Sequence, residues 1–290
     1  MRSLFSALLP FSSHRILNTD HDEYLFPNLF PSNAKAFPMT INLSGMHILV
    51  TGASGGIGES IARMLAEAGA TVAVHYNRNA ERAAALVDEI GRGACAFKAD
   101  LSVPEECFRL FIDVLAAYDT LDVLVNNAGM IMNTPLDTPA DEWLDNWNAT
   151  LMVNLTAAGI LTRAAVNHFV ARGGGRIINI ASRAAFRGDT PEYLAYAAAK
   201  GGMVAMSRSI ARAYGKQGVK SFVVAPGFVR TEINRPFIEQ YGEEFMVKDL
   251  ALGRLTEPED VAPTVVFLAS GLMDHATGCT IDINAASYVR

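Results

Sequence analysis

The chain has 290 residues, half of them apolar, and a formal net charge of −6. A chain of this length and composition can bury one large core, and its acidity argues against a nucleic-acid partner, which requires clustered lysine and arginine. No stretch offers the uninterrupted apolar run of about 18 residues that a membrane-spanning helix needs, so no membrane partner is expected.

Residues 1–44 have the composition of an N-terminal extension outside the fold, loosely ordered. Four prolines interrupt this segment, namely Pro10, Pro27, Pro31 and Pro38. The first 19 residues contain arginine and serine but no acidic residue, which faintly resembles a mitochondrial transit peptide. We favour a loose tail, or an upstream start with Met39 as the natural beginning.

A glycine-rich stretch, Thr51 to Gly58, follows the apolar run 47–50 and precedes a helical segment at 59–68. Glycine lets the backbone approach a phosphate, and a helix N-terminus offers free N–H groups with a positive dipole end. The stretch therefore predicts a dinucleotide site, although its Gly-x-x-x-Gly-x-Gly spacing is not the Gly-x-Gly-x-x-Gly fingerprint. A tight strand–helix connection is the alternative. The candidate contacts are Gly52, Ser54, Gly56, Ile57 and Gly58.

Downstream, strand and helix signals alternate as far as the C-terminus. The predicted strands cover residues 71–76, 94–99, 121–125, 176–180 and 220–224, with helices at 80–90, 104–117 and in long Ala-rich stretches. Continuous apolar strands alternating with helices imply a parallel sheet covered on both faces. Right-handed crossovers then give a doubly wound α/β sheet, the Rossmann fold, in a single domain spanning residues 45–290.

The end of the second predicted strand bears on the cofactor. An NAD site usually has an Asp or Glu there to accept from the ribose 2′-OH, but this chain has Asn77 and Arg78. Arg78 can pair with a 2′-phosphate and Asn77 can hydrogen-bond it, so NADP is favoured, with NAD possible and a solvated Arg78 as the alternative. Asp100, with Leu101, ends the third strand, where a carboxylate can accept from the adenine amino group.

Polar residues also end the fourth and fifth predicted strands. Asn126, Asn127, Ala128 and Gly129 form a run whose small residues permit close backbone approach, and its two amides can tie neighbouring strands together; alone, such a run would be a turn. Ser182 can hydrogen-bond a substrate oxygen at the carboxyl edge of the sheet. No histidine stands in a motif that would make it a base for Ser182, so a hydrolase triad is not expected.

Tyr196 and Lys200 stand four residues apart on a predicted helix, so the phenol and the ammonium share one face. A free tyrosine ionises near pH ~10, and a neighbouring cation pulls its pKa towards neutrality. This spacing also occurs by chance in many helices.

Further along, a rigid turn can frame a flat ring and offer a hydroxyl to an amide. Its candidate residues are Pro226, Gly227, Val229 and Thr231.

In this order, the motifs resemble the classical short-chain dehydrogenase/reductase family across about residues 44–290. The resemblance implies seven strands in the order 3-2-1-4-5-6-7. It also implies a hydride transfer between NAD(P) and a ketone or secondary alcohol, which needs no metal. By the family pattern, Tyr196 is the catalytic acid/base and Ser182 orients the substrate. Lys200 holds the nicotinamide ribose and lowers the Tyr196 pKa, and Asn154 holds the water of a proton relay.

Within the family, the sequence motifs most resemble those of the 3-oxoacyl-(acyl-carrier-protein) reductases. This resemblance favours NADPH-linked carbonyl reduction and an acyl thioester as one candidate substrate. An NAD-linked sugar or alcohol dehydrogenase is an alternative, as is a non-catalytic dinucleotide sensor or scaffold. The family also implies a homodimer or homotetramer built on the small-residue helix 197–213. Three cysteines without zinc or disulfide spacing predict reduced thiols and a cytoplasmic location, against the mitochondrial alternative.

Three departures from the family pattern stand out. Phe222 replaces a common asparagine, Ala285-Ala286 replaces a usual Gly-Gly pair, and 53–55 lacks the basic residue of many NADP-linked members. Substrate specificity is expected in 130–139, 183–193 and 231–253. The last segment is a candidate mobile lid, and ordinary helix core is the alternative. Arg183 and Arg187 can attract an anionic substrate, or can simply be solvated.

Overall fold

The computed structural model describes residues 40–290, so most of the expected N-terminal extension lies outside the described residues. The compact unit begins at Ile41 and ends at Arg290. Leu43 is fully buried in the core, and its backbone N–H donates to the carbonyl of Ala68 at 2.7 Å. The compact unit thus includes Leu43, which lies just before the predicted start at residue 45 and is packed into the core.

Seven parallel strands form one sheet. In chain order they are β1 (His47–Val50), β2 (Thr71–Tyr76), β3 (Cys95–Lys98), β4 (Val123–Asn126), β5 (Gly175–Ile180), β6 (Val219–Pro226) and β7 (Thr280–Ile283). Their order across the sheet is β3-β2-β1-β4-β5-β6-β7, which confirms the predicted doubly wound sheet. The order reverses between β1 and β4, where such folds open a ligand crevice at the carboxyl ends of the strands.

Helices cover both faces of this sheet. They are α1 (Gly56–Glu67), α2 (Ala80–Ile90), α3 (Pro104–Tyr118), α4 (Ala140–Leu151), α5 (Ala157–Arg172), α6 (Ala184–Arg187), α7 (Leu194–Tyr214), α8 (Arg235–Tyr241), α9 (Glu243–Val247) and α10 (Pro258–Ala269). Ile48 and Val50 of β1 pack with side chains of α1, α2 and α10, whereas Leu49 packs with α3 and α5. Because side chains alternate across a strand, a strand covered on both faces is apolar throughout.

A π-helical turn, Met152–Thr156, joins α4 to α5, so that Ala140–Arg172 runs as one helix of 33 residues. By length and hydropathy alone, this helix is long and apolar enough to cross a membrane. Leu161 and Phe169, however, are buried in the cluster that packs α5 against the sheet and α3. Packing in the core accounts for the apolar composition of the helix.

Phe222 fits the core without the asparagine that the family pattern has at this position. Its side chain is fully buried, and its backbone carbonyl accepts from the side-chain amide of Asn179 on β5 at 3.4 Å. Next to it, the hydroxyl oxygens of Ser221 and Ser207 lie 2.8 Å apart. Neighbouring side chains therefore supply the polar contacts of this strand, and Phe222 supplies apolar volume.

The pair Ala285-Ala286 keeps the left-handed backbone that glycine favours, with φ of 49° and 58°. A left-handed backbone costs alanine about 1 kcal/mol or more. We therefore expect Ala285→Gly and Ala286→Gly each to raise the free energy of unfolding by about 0.5–1 kcal/mol, since relief of strain exceeds the entropy that glycine adds to the unfolded chain. Urea denaturation measures the change.

The matched control is Ala205→Gly, at an exposed position inside α7. There the same replacement relieves no strain, and the free energy of unfolding should fall by about 1 kcal/mol. A fall of the same size at Ala285 or Ala286 would contradict the strain that their φ angles imply.

Candidate active site

The glycine loop between β1 and α1 is pressed against the end of β4. A Cβ on Gly58 would lie 2.4 Å from both the Asn127 side-chain nitrogen and the Gly52 carbonyl oxygen. Gly52 has a φ of +65°, and a Cβ there would lie 3.0 Å from the Cα of Ala128. Only glycine permits this approach, and the loop leads into the N-terminus of α1, whose first N–H groups have no partner within the helix.

Thr51 and two amides fix this loop to its neighbours. The Thr51 hydroxyl accepts from the backbone N–H of Asn127 at 2.9 Å and of Ala128 at 3.0 Å, and the Asn127 amide donates to the Thr51 carbonyl at 2.8 Å. The Asn126 amide donates to Oδ1 of Asn179 on β5 at 2.9 Å. The predicted role of the Asn-Asn pair, to tie neighbouring strands together, is confirmed.

His75 on β2 also holds the glycine loop, and the sequence analysis missed it. Its Nδ1 accepts from the N–H of Gly52 at 2.9 Å, so Nε2 carries the proton and donates to the Ala99 carbonyl at 3.1 Å. Burial lowers the pKa of His75 to about 4, which keeps the ring neutral at pH 7. A lone histidine in a β-rich run gives no sequence signal of this contact.

We expect this neutral ring to make the protein less stable in acid. Between the ordinary histidine pKa near 6.5 and the folded value of about 4, the unfolded chain binds the proton and the folded chain does not. The free energy of unfolding should therefore fall on acidification from pH 7 to pH 5, by on the order of 1–2 kcal/mol from this group. His75→Asn keeps an acceptor for Gly52 and should lose that part of the pH dependence. Equal slopes for both proteins in urea titrations would contradict the assignment.

The structure brings Asn77, Arg78 and Asp100 to the same end of β2 and β3. Hydrogen bonds from the hydroxyl and the N–H of Ser102 lower the Asp100 pKa, helped by Asn77 and by the charge of Arg78. Arg78 is exposed, whereas Leu101 is buried beneath this edge. A cation and an amide are therefore available where a 2′-phosphate is expected, and part of the Asp100 carboxylate is occupied by Ser102.

Arg82 on α2 is a second cation at this edge that the sequence analysis did not single out. Its guanidinium lies 3.8 Å from where a Gly55 Cβ would be, in the stretch whose missing basic residue was noted above. It forms ion pairs with Glu232 at 2.7 Å and with Glu59 at 3.2 Å. A residue close in space, though not in sequence, thus places a guanidinium beside the glycine loop.

Asn154 lies in the π-helical turn and is fully buried. Its amide nitrogen donates to the carbonyls of Met130 and Thr150 at 2.8 and 2.9 Å. A Cβ on Gly129 would lie 2.8 Å from the Asn154 side-chain oxygen and 3.6 Å from Nζ of Lys200. The structure therefore brings Asn154 and Lys200 together across Gly129, as the family pattern implies.

Tyr196, Lys200 and Ser182 meet at the carboxyl end of β5. Nζ of Lys200 lies 5.7 Å from the centroid of the Tyr196 ring and donates to the Ile180 carbonyl at 2.9 Å. The Ser182 hydroxyl accepts from the N–H of Ala184 at 3.1 Å, and Ser182 and Tyr196 line the same cavity. Tyr196 and Lys200 thus lie at the carboxyl edge of the sheet, the same edge as the glycine loop.

The expected lowering of the Tyr196 pKa by Lys200 is wrong for this structure. Burial raises the pKa of Tyr196 to about 12, and the hydrogen bond from Ser182 opposes this only in part. Burial also lowers the pKa of Lys200 to about 8. Desolvation disfavours both charged forms, so at pH 7 the phenol is neutral and holds its proton.

The turn after β6 reaches back to the glycine loop. A Cβ on Gly56 would lie 3.3 Å from the Thr231 side chain, and one on Gly227 would lie 2.9 Å from Asn284. Val229 is buried and pairs with Thr256. The remaining predicted contacts, Ser54, Ile57 and Pro226, lie within these same two segments.

A family model described as "Enoyl-(Acyl carrier protein) reductase" matches residues 52–285, which is most of the chain. The chain belongs to the short-chain dehydrogenase/reductase family. It is therefore an oxidoreductase of a family that binds NAD(P). The glycine loop fits such a cofactor, because added Cβ atoms would collide with Asn127, Ala128 and Thr231 and displace the backbone before α1.

Curated members of the short-chain dehydrogenase/reductase family match over most of their length. The chain is 33% identical to the 3-oxoacyl-[acyl-carrier-protein] reductase FabG of Aquifex aeolicus, over 86% of this chain and 100% of that protein. It is 35% identical to the L-rhamnose 1-dehydrogenase (NAD(P)(+)) of a Sphingomonas strain, over 86% and 98%. The similarity thus spans an acyl-thioester reductase and a sugar dehydrogenase.

Solved structures of the short-chain family have the same fold as this chain. A dehydrogenase/reductase from Sinorhizobium meliloti superposes with a TM-score of 0.80 at 33% identity, covering 86% of this chain and 98% of that one. A Beutenbergia cavernae protein, assigned as an NAD(P)-dependent gluconate 5-dehydrogenase and containing NADP at low occupancy, superposes with a TM-score of 0.79 at 34% identity, with the same coverage. The sheet order above is thus the order of this family.

A cavity of about 120 Å³ opens beside Ser182 and Tyr196. Phe237 of α8 forms part of its wall and packs against Tyr193, with ring centroids 5.4 Å apart. Neither α8 nor α9 contains a buried residue, although Leu250 after α9 is buried, so these two helices lie outside the core and the lid stays a prediction. A larger, open depression of about 230 Å³ lies elsewhere, and no candidate site residue lines it.

Proposed function

We propose that the protein catalyses the NADPH-linked reduction of a ketone to a secondary alcohol. The observation that carries this proposal is the half-buried, neutral phenol of Tyr196, which lines one cavity with Ser182 and lies beside Lys200 at the carboxyl edge of the sheet. A phenol that holds its proton at pH 7 suits the acid role, since reduction of a carbonyl delivers a proton to oxygen.

Each residue of the site has a separate role in this reaction. The Ser182 hydroxyl and the Tyr196 phenol hold the carbonyl oxygen, and Tyr196 donates its proton there. Lys200, with a pKa of about 8, is mostly cationic at pH 7 and stabilises the phenolate as it forms. Asn154, fixed by Met130 and Thr150, supports the relay that returns a proton through Lys200. The reduced nicotinamide, when bound, supplies the hydride.

Three observations support NADP over NAD. No carboxylate ends β2, Arg78 lies there exposed, and the Arg82 guanidinium is beside Gly55. An Arg–phosphate pair is charge-assisted and geometrically specific. A structural neighbour that contains NADP is consistent with this preference.

Similarity to FabG makes a 3-oxoacyl thioester one candidate substrate, and similarity to a rhamnose dehydrogenase makes a sugar the other. We further propose a homodimer or homotetramer, supported by exposed apolar side chains such as Phe108 and Ile112 on α3. The free thiols of Cys95, Cys107 and Cys279 support the proposed cytoplasmic location.

The test is a carbonyl panel, followed through the absorbance of the reduced cofactor, with NADPH and NADH and with Arg82→Met. We expect NADPH to be favoured about tenfold or more, and Arg82→Met to weaken NADPH binding about tenfold while leaving NADH binding unchanged, as loss of one charge-assisted contact predicts. Equal binding of both cofactors would refute the NADP assignment. Tight NADPH binding with no turnover on any carbonyl would favour the non-catalytic alternative.

A further inference from the structure

Two guanidinium groups line the cavity that contains the Ser182 and Tyr196 hydroxyls. Arg183 directly follows Ser182, and Arg187 lies one turn further along, at the end of α6. Asp189 is the only carboxylate among the cavity's lining residues, all of which lie in the described range 40–290. Cations therefore outnumber anions at the place where a substrate would bind.

Neither of these arginines forms a salt bridge within residues 40–290. Arg230, by contrast, pairs with both Glu243 and Glu257. The side chain of Arg183 is partly buried and donates from Nη1 to the Ser287 hydroxyl. A guanidinium carries five N–H donors, so most of its hydrogen-bonding capacity is left for another acceptor.

Burial of this cation is unfavourable without an anion beside it. Burial and the charge of Arg187 both lower the pKa of Arg183, and the carboxylates of Asp189 and Asp249 offset this only in part. The planar guanidinium matches a carboxylate with two parallel hydrogen bonds. An anionic substrate would supply the missing partner.

We propose that Arg183, with Arg187 at the cavity mouth, binds the carboxylate of a small oxo acid or hydroxy acid whose reacting oxygen lies between Ser182 and Tyr196. This inference rests on the proposed function and names its substrate class. The cavity of about 120 Å³ is small beside the roughly 300–1,000 Å³ of drug-sized sites, which suits a short acid.

The reaction balances without any further reagent. The keto carbon would receive a hydride, which is one proton with two electrons, from a bound reduced nicotinamide, and the carbonyl oxygen would receive the Tyr196 proton. One C–H and one O–H bond form in the alcohol, while a C–H bond of the nicotinamide, the O–H bond of Tyr196 and the C=O π bond break; the ketone is reduced and the nicotinamide is oxidised. The carboxylate is unchanged and serves only to hold the substrate.

The competing explanation is that Arg183 is structural and fixes the C-terminal segment through Ser287. Ser287→Ala removes that hydrogen bond and keeps the guanidinium. A structural role therefore predicts that Ser287→Ala and Arg183→Met behave alike, whereas a substrate role predicts that only Arg183→Met affects acids.

The experiment uses the full chain with NADP and NADPH on hydroxy acids and oxo acids of three to six carbons, each matched with its neutral carboxamide and, where the skeleton allows, its phosphate ester. We expect the wild-type kcat/KM for the best acid to exceed that of its amide about tenfold or more, as one charge-assisted pair predicts. Arg183→Met should raise KM for acids by a similar factor and leave amides unchanged. Arg183→Lys should recover part of the loss, and Arg208→Met, at an exposed site on α7, should change nothing.

Equal kcat/KM for acids and amides in the wild type would overturn the inference, as would a Ser287→Ala variant that reproduces Arg183→Met. Turnover of neutral ketones or a 3-oxoacyl thioester with no turnover of acids would overturn it while the proposed function stands. A preference for the phosphate ester would keep an anion site but refute the carboxylate. If no compound reacts although NADPH binds, both the proposed function and the inference that rests on it are refuted.

Discussion

Replacing Tyr196 with phenylalanine should lower kcat about a hundred-fold to ten-thousand-fold, the usual contribution of a positioned acid. The hydroxyl that would protonate the substrate oxygen is removed, while the ring that packs beside Lys200 remains. Single-turnover kinetics with the best substrate of the panel measures the loss.

NADPH binding, followed by fluorescence, should change less than about twofold in this variant, since the glycine loop, Arg78 and Arg82 are untouched. Ser182→Ala should also lower kcat, because it removes the hydroxyl proposed to hold the substrate oxygen beside Tyr196. Full activity in Tyr196→Phe would defeat the mechanism, whichever substrate is used.

Gly58→Ala should abolish tight dinucleotide binding, with a loss of more than about tenfold in affinity, and lower the free energy of unfolding by about 1–3 kcal/mol. The added methyl group would lie 2.4 Å from the Gly52 carbonyl and from the Asn127 amide. The first of these is backbone, so the loop that precedes α1 must shift as a unit. Calorimetric titration with NADPH, together with urea denaturation, measures both effects.

Gly215→Ala is the matched control. Gly215 has helical backbone angles of −57° and −41°, and nothing lies within 4 Å of an added Cβ. The change should be neutral or stabilise the protein by up to about 1 kcal/mol, because alanine restricts the unfolded chain. Normal NADPH affinity in Gly58→Ala would show that the loop tolerates a side chain and is not the phosphate cradle.

The sheet could be predicted from the sequence because its central strands are covered on both faces, whereas β3 is mostly exposed and β7 is half-buried. Such strands appear as short, unbroken apolar runs, and the helix at Ala80–Ile90 and the strand at Thr71–Tyr76 have the bounds that periodicity predicts. The place of Leu43 in the core could not be predicted, because Leu43 lies between the polar residues Asn42 and Ser44, outside any sustained apolar period, although it is buried.

The site was only partly predictable. Tyr196 and Lys200 lie one helical turn apart, so their shared face follows from spacing alone. His75 and Arg82 act across strands and helices, through contacts with Gly52, Gly55 and Glu232, and no local pattern reports such contacts. The sign of the Tyr196 pKa shift was also missed, because it depends on burial, which requires the fold.

The π-helical turn at Met152–Thr156 has a consequence for insertions and deletions. An α-helix rotates by about 100° per residue, so a widened turn shifts the phase of the residues after it relative to those before it. Deleting one residue there would give a more regular helix, yet Asn154 and the face of α5 that carries Leu161 would no longer point into the core at the same time. In this chain, a more regular helix would bury either Asn154 or the Leu161 face of α5, but not both.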